Sequence, residues 1–207
     1  MNVVVDYGLG NIESVRLALN DLNIDLVVSD DYETIKNAKT LILPGVGAFR
    51  DAMSRLKETG LDKLLVERVN SGVPILGICL GMQLLFETSY EDGEHKGLGL
   101  LKGSIERIPE NVKVPHMGWN SLNLDKQDDL VKYLNNGDFV YYVHSYYAVC
   151  DKDLIVASSD YGVNIPGIVR DKNIMGIQFH PEKSSLIGLN ILKAYKETII
   201  DEPISSN

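Results

Sequence analysis

Hydrophobic positions in the first half of the chain switch between two spacings, which predicts strands and helices in alternation. Asn2 to Val5 is a short, branched apolar run. Ile12, Val15, Leu19 and Leu22 follow at helical spacing, with Asn11 placed to cap their helix, and a second apolar run occupies Ile24 to Val28. Thr40-Leu41-Ile42-Leu43 predicts a third strand, residues from about 48 to 70 a helical region, and Val73 to Ile78 a fourth strand. Beyond it, Met82, Leu85 and Phe86 repeat at helical spacing. Such alternation implies a parallel sheet covered by helices, with sites at the carboxyl ends of the strands.

After Glu87 the runs shorten. Gly103 to Ile108, Phe139 to Val149, Leu154 to Ser158, Ile168 to Arg170 and Ile174 to Phe179 read as strands between turns, and Ser184 to Ile199 as a closing amphipathic helix. No repeat or flexible linker separates the halves. The expectation is one α/β domain over residues 1–200, with a largely parallel central sheet flanked by helices, a more strand-rich C-terminal half, and a frayed tail at 201–207.

With 207 residues, 44% hydrophobic, the chain is long enough to bury a sizeable core. A net charge of -9 without a basic tract argues against nucleic acid or an anionic membrane as partner. No basic leader precedes the first strand and no apolar run approaches membrane-spanning length, so a cytoplasmic protein is expected, with Cys79 and Cys150 reduced. The four histidines lack a Cys/His/Asp cluster at ligand spacing, so no metal is expected. Asp6-Tyr7-Gly8-Leu9-Gly10, with Asp30 further on, superficially matches a dinucleotide fingerprint, but Glu13 stands where the third glycine belongs. A tight turn is the reading retained.

The chemistry concentrates at Gly77-Ile78-Cys79-Leu80-Gly81, where one cysteine lies between two glycines at a strand-to-helix junction. This spacing matches the strained Gly-x-Ser-x-Gly turn that exposes a hydrolase serine, and the first turn of the helix favours thiolate over thiol. A lone cysteine is also commonly an inert core residue, and at this point both readings stand. His180-Pro181-Glu182 ends the last strand and supplies partners. In extended geometry residues two apart share a face, and proline favours that geometry at His180, so the imidazole can sit between the Cys79 thiol and the Glu182 carboxylate. Pro44-Gly45-Val46-Gly47 follows the third strand, where its amides, with that of Leu80, can bind an oxyanion; a plain strand-to-helix loop is the alternative.

These segments together resemble the class I glutamine amidotransferases over nearly the whole chain. The resemblance is carried by Pro-Gly-Val-Gly-Ala-Phe at 44–49, Gly-Ile-Cys-Leu-Gly-Met-Gln-Leu-Leu-Phe at 77–86, Pro-His-Met-Gly-Trp-Asn at 115–120, Val-His-Ser-Tyr-Tyr-Ala-Val at 143–149 and Gln-Phe-His-Pro-Glu-Lys-Ser at 178–184. The first and third of these are similar to glutaminase subunits that serve a β/α-barrel cyclase. The resemblance implies a flavodoxin-like core and a glutaminase that needs no cofactor. It makes Cys79 the nucleophile, His180 base and then acid, and Glu182 its orienting partner. It assigns Gln83, Ser145 and Tyr146 to the amino-acid end of L-glutamine, and Gly47 to the loop that closes the oxyanion hole. It further implies a heterodimer in which ammonia reaches the cyclase through a channel and is used on a phosphorylated ribulosyl-aminoimidazole substrate. Asn11, Trp119, Tyr141 and Lys183 match positions near that interface; a helix cap, a core aromatic, a strand residue and a solvated lysine are their plain readings. Rival readings are a glutaminase serving another synthase, a cysteine peptidase or gamma-glutamyl hydrolase, and a non-catalytic scaffold.

Overall fold

In the computed structural model, which describes residues 1–201, the branched apolar runs of the first half become β1 (Asn2–Val5), β2 (Leu26–Ser29), β3 (Thr40–Gly45) and β4 (Ile75–Cys79). The tail expected at 201–207 lies, apart from Asp201, outside the described residues. Helices α1 (Ile12–Asn20), α2 (Tyr32–Lys36), α3 (Phe49–Glu58) and α4 (Leu61–Asn70) connect these strands, and the short α5 (Leu80–Leu84) follows β4 directly. The chain continues through β5 (Phe86–Ser89), β6 (His95–Lys96), β7 (Leu101–Arg107), β8 (His116–Ser121), β9 (Asn123–Leu124), β10 (Phe139–His144) and β11 (Tyr146–Val149). It ends with β12 (Ile155–Asp160), β13 (Asn164–Asp171), β14 (Ile174–Ile177) and α6 (Ser185–Tyr195).

The main sheet has the order β2-β1-β3-β4-β14-β13-β12-β9. Its first five strands are parallel, in the flavodoxin-like arrangement, and the remaining three pair antiparallel. Side chains alternate across it. Val3, Val5, Leu41 and Leu43 enter one core with Phe49, Leu56 and Leu64; Val4, Ile42, Leu76 and Ile78 enter the other with Leu19, Ile191 and Leu192. Both faces are thus covered, as a parallel sheet requires. Two smaller sheets, β10-β8 and β11-β7-β5-β6, form the strand-rich half.

Several elements differ from expectation for local reasons. The helical stretch at 48–70 breaks at Gly60, whose φ of 70° ends α3 and opens α4. Phe86 does not continue the helix after Cys79. The backbone N–H groups of Leu98, Leu100 and Leu101 take the carbonyls of Leu84 and Leu85, and the chain leaves as β5. Phe139 to Val149 is two strands parted at Ser145, with β10 paired to β8 and β11 to β7. Asn11 precedes α1 without a side-chain cap; its Oδ1 instead accepts from the Ser14 hydroxyl at 3.0 Å.

Candidate active site

Cys79 ends β4 and begins α5 with φ 55° and ψ -114°, a conformation an L-residue holds only under constraint. The flanking glycines explain how it is held. A Cβ on Gly77 would lie 2.6 Å from the Gly81 carbonyl oxygen, and one on Gly81 would strike the Leu43 carbonyl, so strand and helix close to a distance only glycine permits. Cys79 is 8% exposed and opens into a cavity of about 420 Å³.

His180 reaches the same cavity from the end of β14, its φ of -96° and ψ of 99° extended as expected before proline. Its backbone is fixed on both sides by the neighbouring ribbon. His180 N–H donates to the Tyr141 carbonyl at 3.0 Å, and the buried Ser184 hydroxyl donates to the His180 carbonyl at 2.7 Å while accepting from Tyr141 N–H at 2.9 Å. Glu182 does not lie on a strand face. It sits in a single 3₁₀ turn, Pro181–Lys183, which folds its carboxylate back so that His180 Nδ1 donates to Oε1 at 2.8 Å. With Nδ1 committed, Nε2 is the nitrogen left for the Cys79 sulfur. Burial opposes charge on His180, but hydrogen bonds and charge from Cys79 and Glu182 outweigh it and push the imidazole up to about 9.

The cavity collects most of the remaining candidates. Val46, Gly47 and Leu80 line it beside Cys79, while Gly45 is buried behind them as the β3 register partner of Cys79. Gly47 has φ 100°, and no atom would touch a Cβ there, so its glycine serves backbone conformation and not space. Gln83, Ser145 and Tyr146 line the opposite wall. Lys183 stands exposed at the rim, whereas Asn11, Trp119 and Tyr141 lie outside the cavity. Trp119 and Tyr141 are register partners on β8 and β10, their rings 6.0 Å apart edge to face, and Trp119 is 52% exposed.

Four contributors were not identified from sequence. Tyr7, at the end of β1, is buried and donates its hydroxyl to the Pro44 carbonyl at 2.9 Å, which anchors the strand end opposite Cys79. Burial and the neighbouring Cys79 push its phenol well above the usual range. Glu91 lines the cavity and accepts from Phe49 N–H at 2.7 Å, so one carboxylate both caps α3 and faces the pocket. Burial raises this carboxyl above its ordinary range. His144 lines the cavity beside Ser145, and Gln178 meets Gln83 behind it. Of these, only His144 carried a signal, as a histidine flanking Ser145 at a strand end. A wider depression of about 730 Å³ around Asp128, Lys132 and Arg170 holds none of the reactive groups, and Arg170 there is paired with Asp128 at 2.9 Å.

Comparison with known proteins bears on the family and the fold. The class-I glutamine amidotransferase family model matches residues 3–193. A protein of Lactococcus lactis subsp. lactis (strain IL1403), named imidazole glycerol phosphate synthase subunit HisH, is 53% identical over 198 residues, covering 95% of this chain and 98% of its own. One of the same name from Geobacillus sp. (strain WCH70) is 52% identical over 203 residues, covering 95% and 96%. A solved glutamine amidotransferase superposes with TM-score 0.74 at 20% identity over 94% of this chain and 97% of that one. PurLQS from Thermotoga maritima gives TM-score 0.70 at 22% identity over 96% of each. At such identities the two structures bear on the fold alone.

Proposed function

We propose, from the premise that this chain belongs to the class I glutamine amidotransferase family, that it is the glutaminase subunit of an imidazole glycerol phosphate synthase. The observation that carries the reading is Cys79 on its strained turn, facing a cavity shared with the 2.8 Å His180–Glu182 pair. His180 Nε2 takes the Cys79 thiol proton as the sulfur attacks the side-chain amide carbon of glutamine, forming a tetrahedral intermediate. Its oxyanion lies beside the amides of the Gly45–Gly47 loop and Leu80. His180 gives its Nε2 proton to the departing nitrogen, the C–N bond breaks, and ammonia leaves a thioester on Cys79. Water then attacks this thioester as His180 takes its proton, and the C–S bond breaks with that proton passing from His180 to the sulfur, which releases glutamate and restores the thiol. Glu182 keeps the ring oriented and supports the imidazolium throughout.

The far wall suits a zwitterionic substrate. Glu91 offers a carboxylate to the ammonium, Gln83 a carbonyl oxygen, and the Ser145–Tyr146 backbone and hydroxyl supply donors for the carboxylate. The relatives' name supports a partner that consumes the ammonia, here a β/α-barrel cyclase making imidazole glycerol phosphate and an aminoimidazole carboxamide ribotide in histidine biosynthesis. The β8–β10 ribbon supports a docking face beside the cavity. Met117, Trp119 and Phe139 are each more than half exposed on one side of it, with Lys183 at the adjoining rim, while Asn11 lies outside the cavity at the start of α1. Among the described residues no helix is long and apolar enough to cross a membrane.

The test is glutamate release from glutamine, with and without a barrel cyclase, by the unsubstituted protein, Cys79→Ala and Cys150→Ala. Cys79→Ala should lose on the order of 10³-fold in turnover or more, while Cys150→Ala retains it. Undiminished activity in Cys79→Ala would sink the mechanism. Failure to associate with any cyclase would sink the subunit assignment.

A further inference from the structure

His144, which lines the cavity, and His116 behind it are two buried histidines that the chemistry above does not use. The β8–β10 register places His116 opposite His144, and the rings are 3% and 7% exposed. Their four nitrogens form one chain. His144 Nδ1 is 2.8 Å from the Tyr146 carbonyl oxygen, His144 Nε2 is 2.9 Å from His116 Nδ1, and His116 Nε2 is 3.3 Å from Asn120 Nδ2.

The direction of every proton in this chain is fixed. A carbonyl oxygen only accepts, so His144 Nδ1 carries hydrogen; in a neutral ring Nε2 is then bare and accepts from His116 Nδ1. His116 Nε2 is bare in turn and accepts from the Asn120 amide, whose Nδ2 also donates to the Asp160 carbonyl at 3.0 Å. Burial keeps both rings neutral, lowering His116 to about 4 and His144 to about 3. The far end of the chain meets the cavity. The Tyr146 carbonyl that accepts from His144 also accepts from Gln83 Nε2 at 2.9 Å, and Gln83 Nε2 gives its other hydrogen to Gln178 Oε1 at 3.0 Å. With both hydrogens engaged, Gln83 presents only its carbonyl oxygen to a ligand.

We infer that His116 is a positioning residue for glutamine binding: its Nδ1 proton locks the His144 tautomer, His144 holds the Tyr146 carbonyl, and that carbonyl holds Gln83 with its acceptor facing the substrate. The role rests on the reading of the cavity as a glutamine site. It is distinct from packing, which His116 also provides, since its ring stacks between Tyr142 at 4.5 Å and Tyr161 at 3.8 Å between centroids.

Two substitutions separate hydrogen bonding from stacking. His116→Phe keeps a flat ring between the tyrosines but has no donor; His116→Asn loses the ring but places an amide N–H where Nδ1 stood. Measured on the complex with the cyclase, His116→Phe should raise the KM for glutamine about tenfold, the loss expected for one buried hydrogen bond. Its kcat should change less than about threefold, and His116→Asn should return KM to within about threefold of the unsubstituted value. Wild-type KM in His116→Phe, no recovery in His116→Asn, or a loss confined to kcat would each overturn the role. Histidine 15N spectra of the unsubstituted protein give a check that needs no variant to fold. Both rings should be protonated at Nδ1 and bare at Nε2, and either ring found protonated at Nε2 overturns the inference. An unsubstituted complex that releases no glutamate would remove the cavity reading and this role with it, whatever tautomers the spectra report.

Discussion

Glu182→Gln removes one charge from the triad and leaves its shape in place. The carboxylate and the imidazole meet at 2.8 Å with side chains 1% and 4% exposed, so water screens little of their interaction. Burial by itself would drive His180 neutral; contact with Cys79 and Glu182 reverses this and carries the ring from 6.5 to about 9, a net preference for the imidazolium of about 3 kcal/mol. Without the carboxylate charge, His180 should titrate about one to three pH units lower. The linkage has a definite sign. A group whose folded value is raised contributes stability that is complete below its unfolded value near 6.5 and is lost as pH rises through about 9. Urea denaturation of the unsubstituted protein should therefore show stability falling across that window, and the fall should be smaller in Glu182→Gln. Glutamate release should drop between about 10² and 10⁴-fold, because a glutamine side chain can hold the ring but cannot support its charge. NMR titration of the His180 ring, the urea series and the turnover assay read the three consequences separately. A ring that titrates where it did before, with turnover intact, would refute the electrostatic account of Glu182.

Three further outcomes follow from contacts around the site. Gly81→Ala must displace the Leu43 carbonyl from the strand beside Cys79, so urea unfolding should show a loss of about 3 kcal/mol or more together with lost turnover; a near-neutral variant would mean the turn is not closed as described. Tyr7→Phe removes the 2.9 Å bond to the Pro44 carbonyl and should cost about 1 kcal/mol of stability. Its kcat should fall about threefold to tenfold with KM retained, because the strand end opposite Cys79 loses its anchor; a change in KM alone would count against this. Acid should act through His116 and His144, whose folded values are lowered to about 4 and 3, so their contribution is present above pH 6.5 and lost as pH falls through those values. For His116 the amount is about 3 kcal/mol, and His116→Phe should unfold at lower pH than its neutral-pH stability alone would give.

The parallel half of the fold was legible because each of its strands is a continuous branched run bounded by turns, and burial on both faces writes that pattern directly into the residues. The triad was legible for a similar reason, since Gly77, Gly81 and Pro181 are required by backbone geometry before any chemistry is considered. What the sequence hides is partnership between distant segments. Phe86 has helical spacing, but its helix ends because the residues at 98–101 occupy the carbonyls at its end. Tyr7 reads only as part of a tight turn and Glu91 carries no signal; only the fold brings one to Pro44 and the other to Phe49. β8 escaped notice because its polarity is inverted, with His116 and Asn120 turned inward and Met117 and Trp119 turned out. An alternation rule assigns the apolar side to the core and so misreads this strand.

On the proposed function, that inversion would let one two-stranded ribbon serve both recognition and chemistry. Its inner face holds His116, Asn120 and His144, which hydrogen-bond to one another in line. Its outer face presents Met117, Trp119 and Phe139, each more than half exposed. Between the faces runs backbone that is bonded to the His180 segment, since Tyr141 accepts from His180 N–H and donates to the Ser184 hydroxyl. A partner pressing on Trp119 and Tyr141 therefore acts on a strand that touches His180 at one position and, through His144, the Gln83 wall at another. On the proposed function, docking and glutamine binding would meet at β10, and a displacement of that strand would reach both His180 and the Tyr146–Gln83 contact.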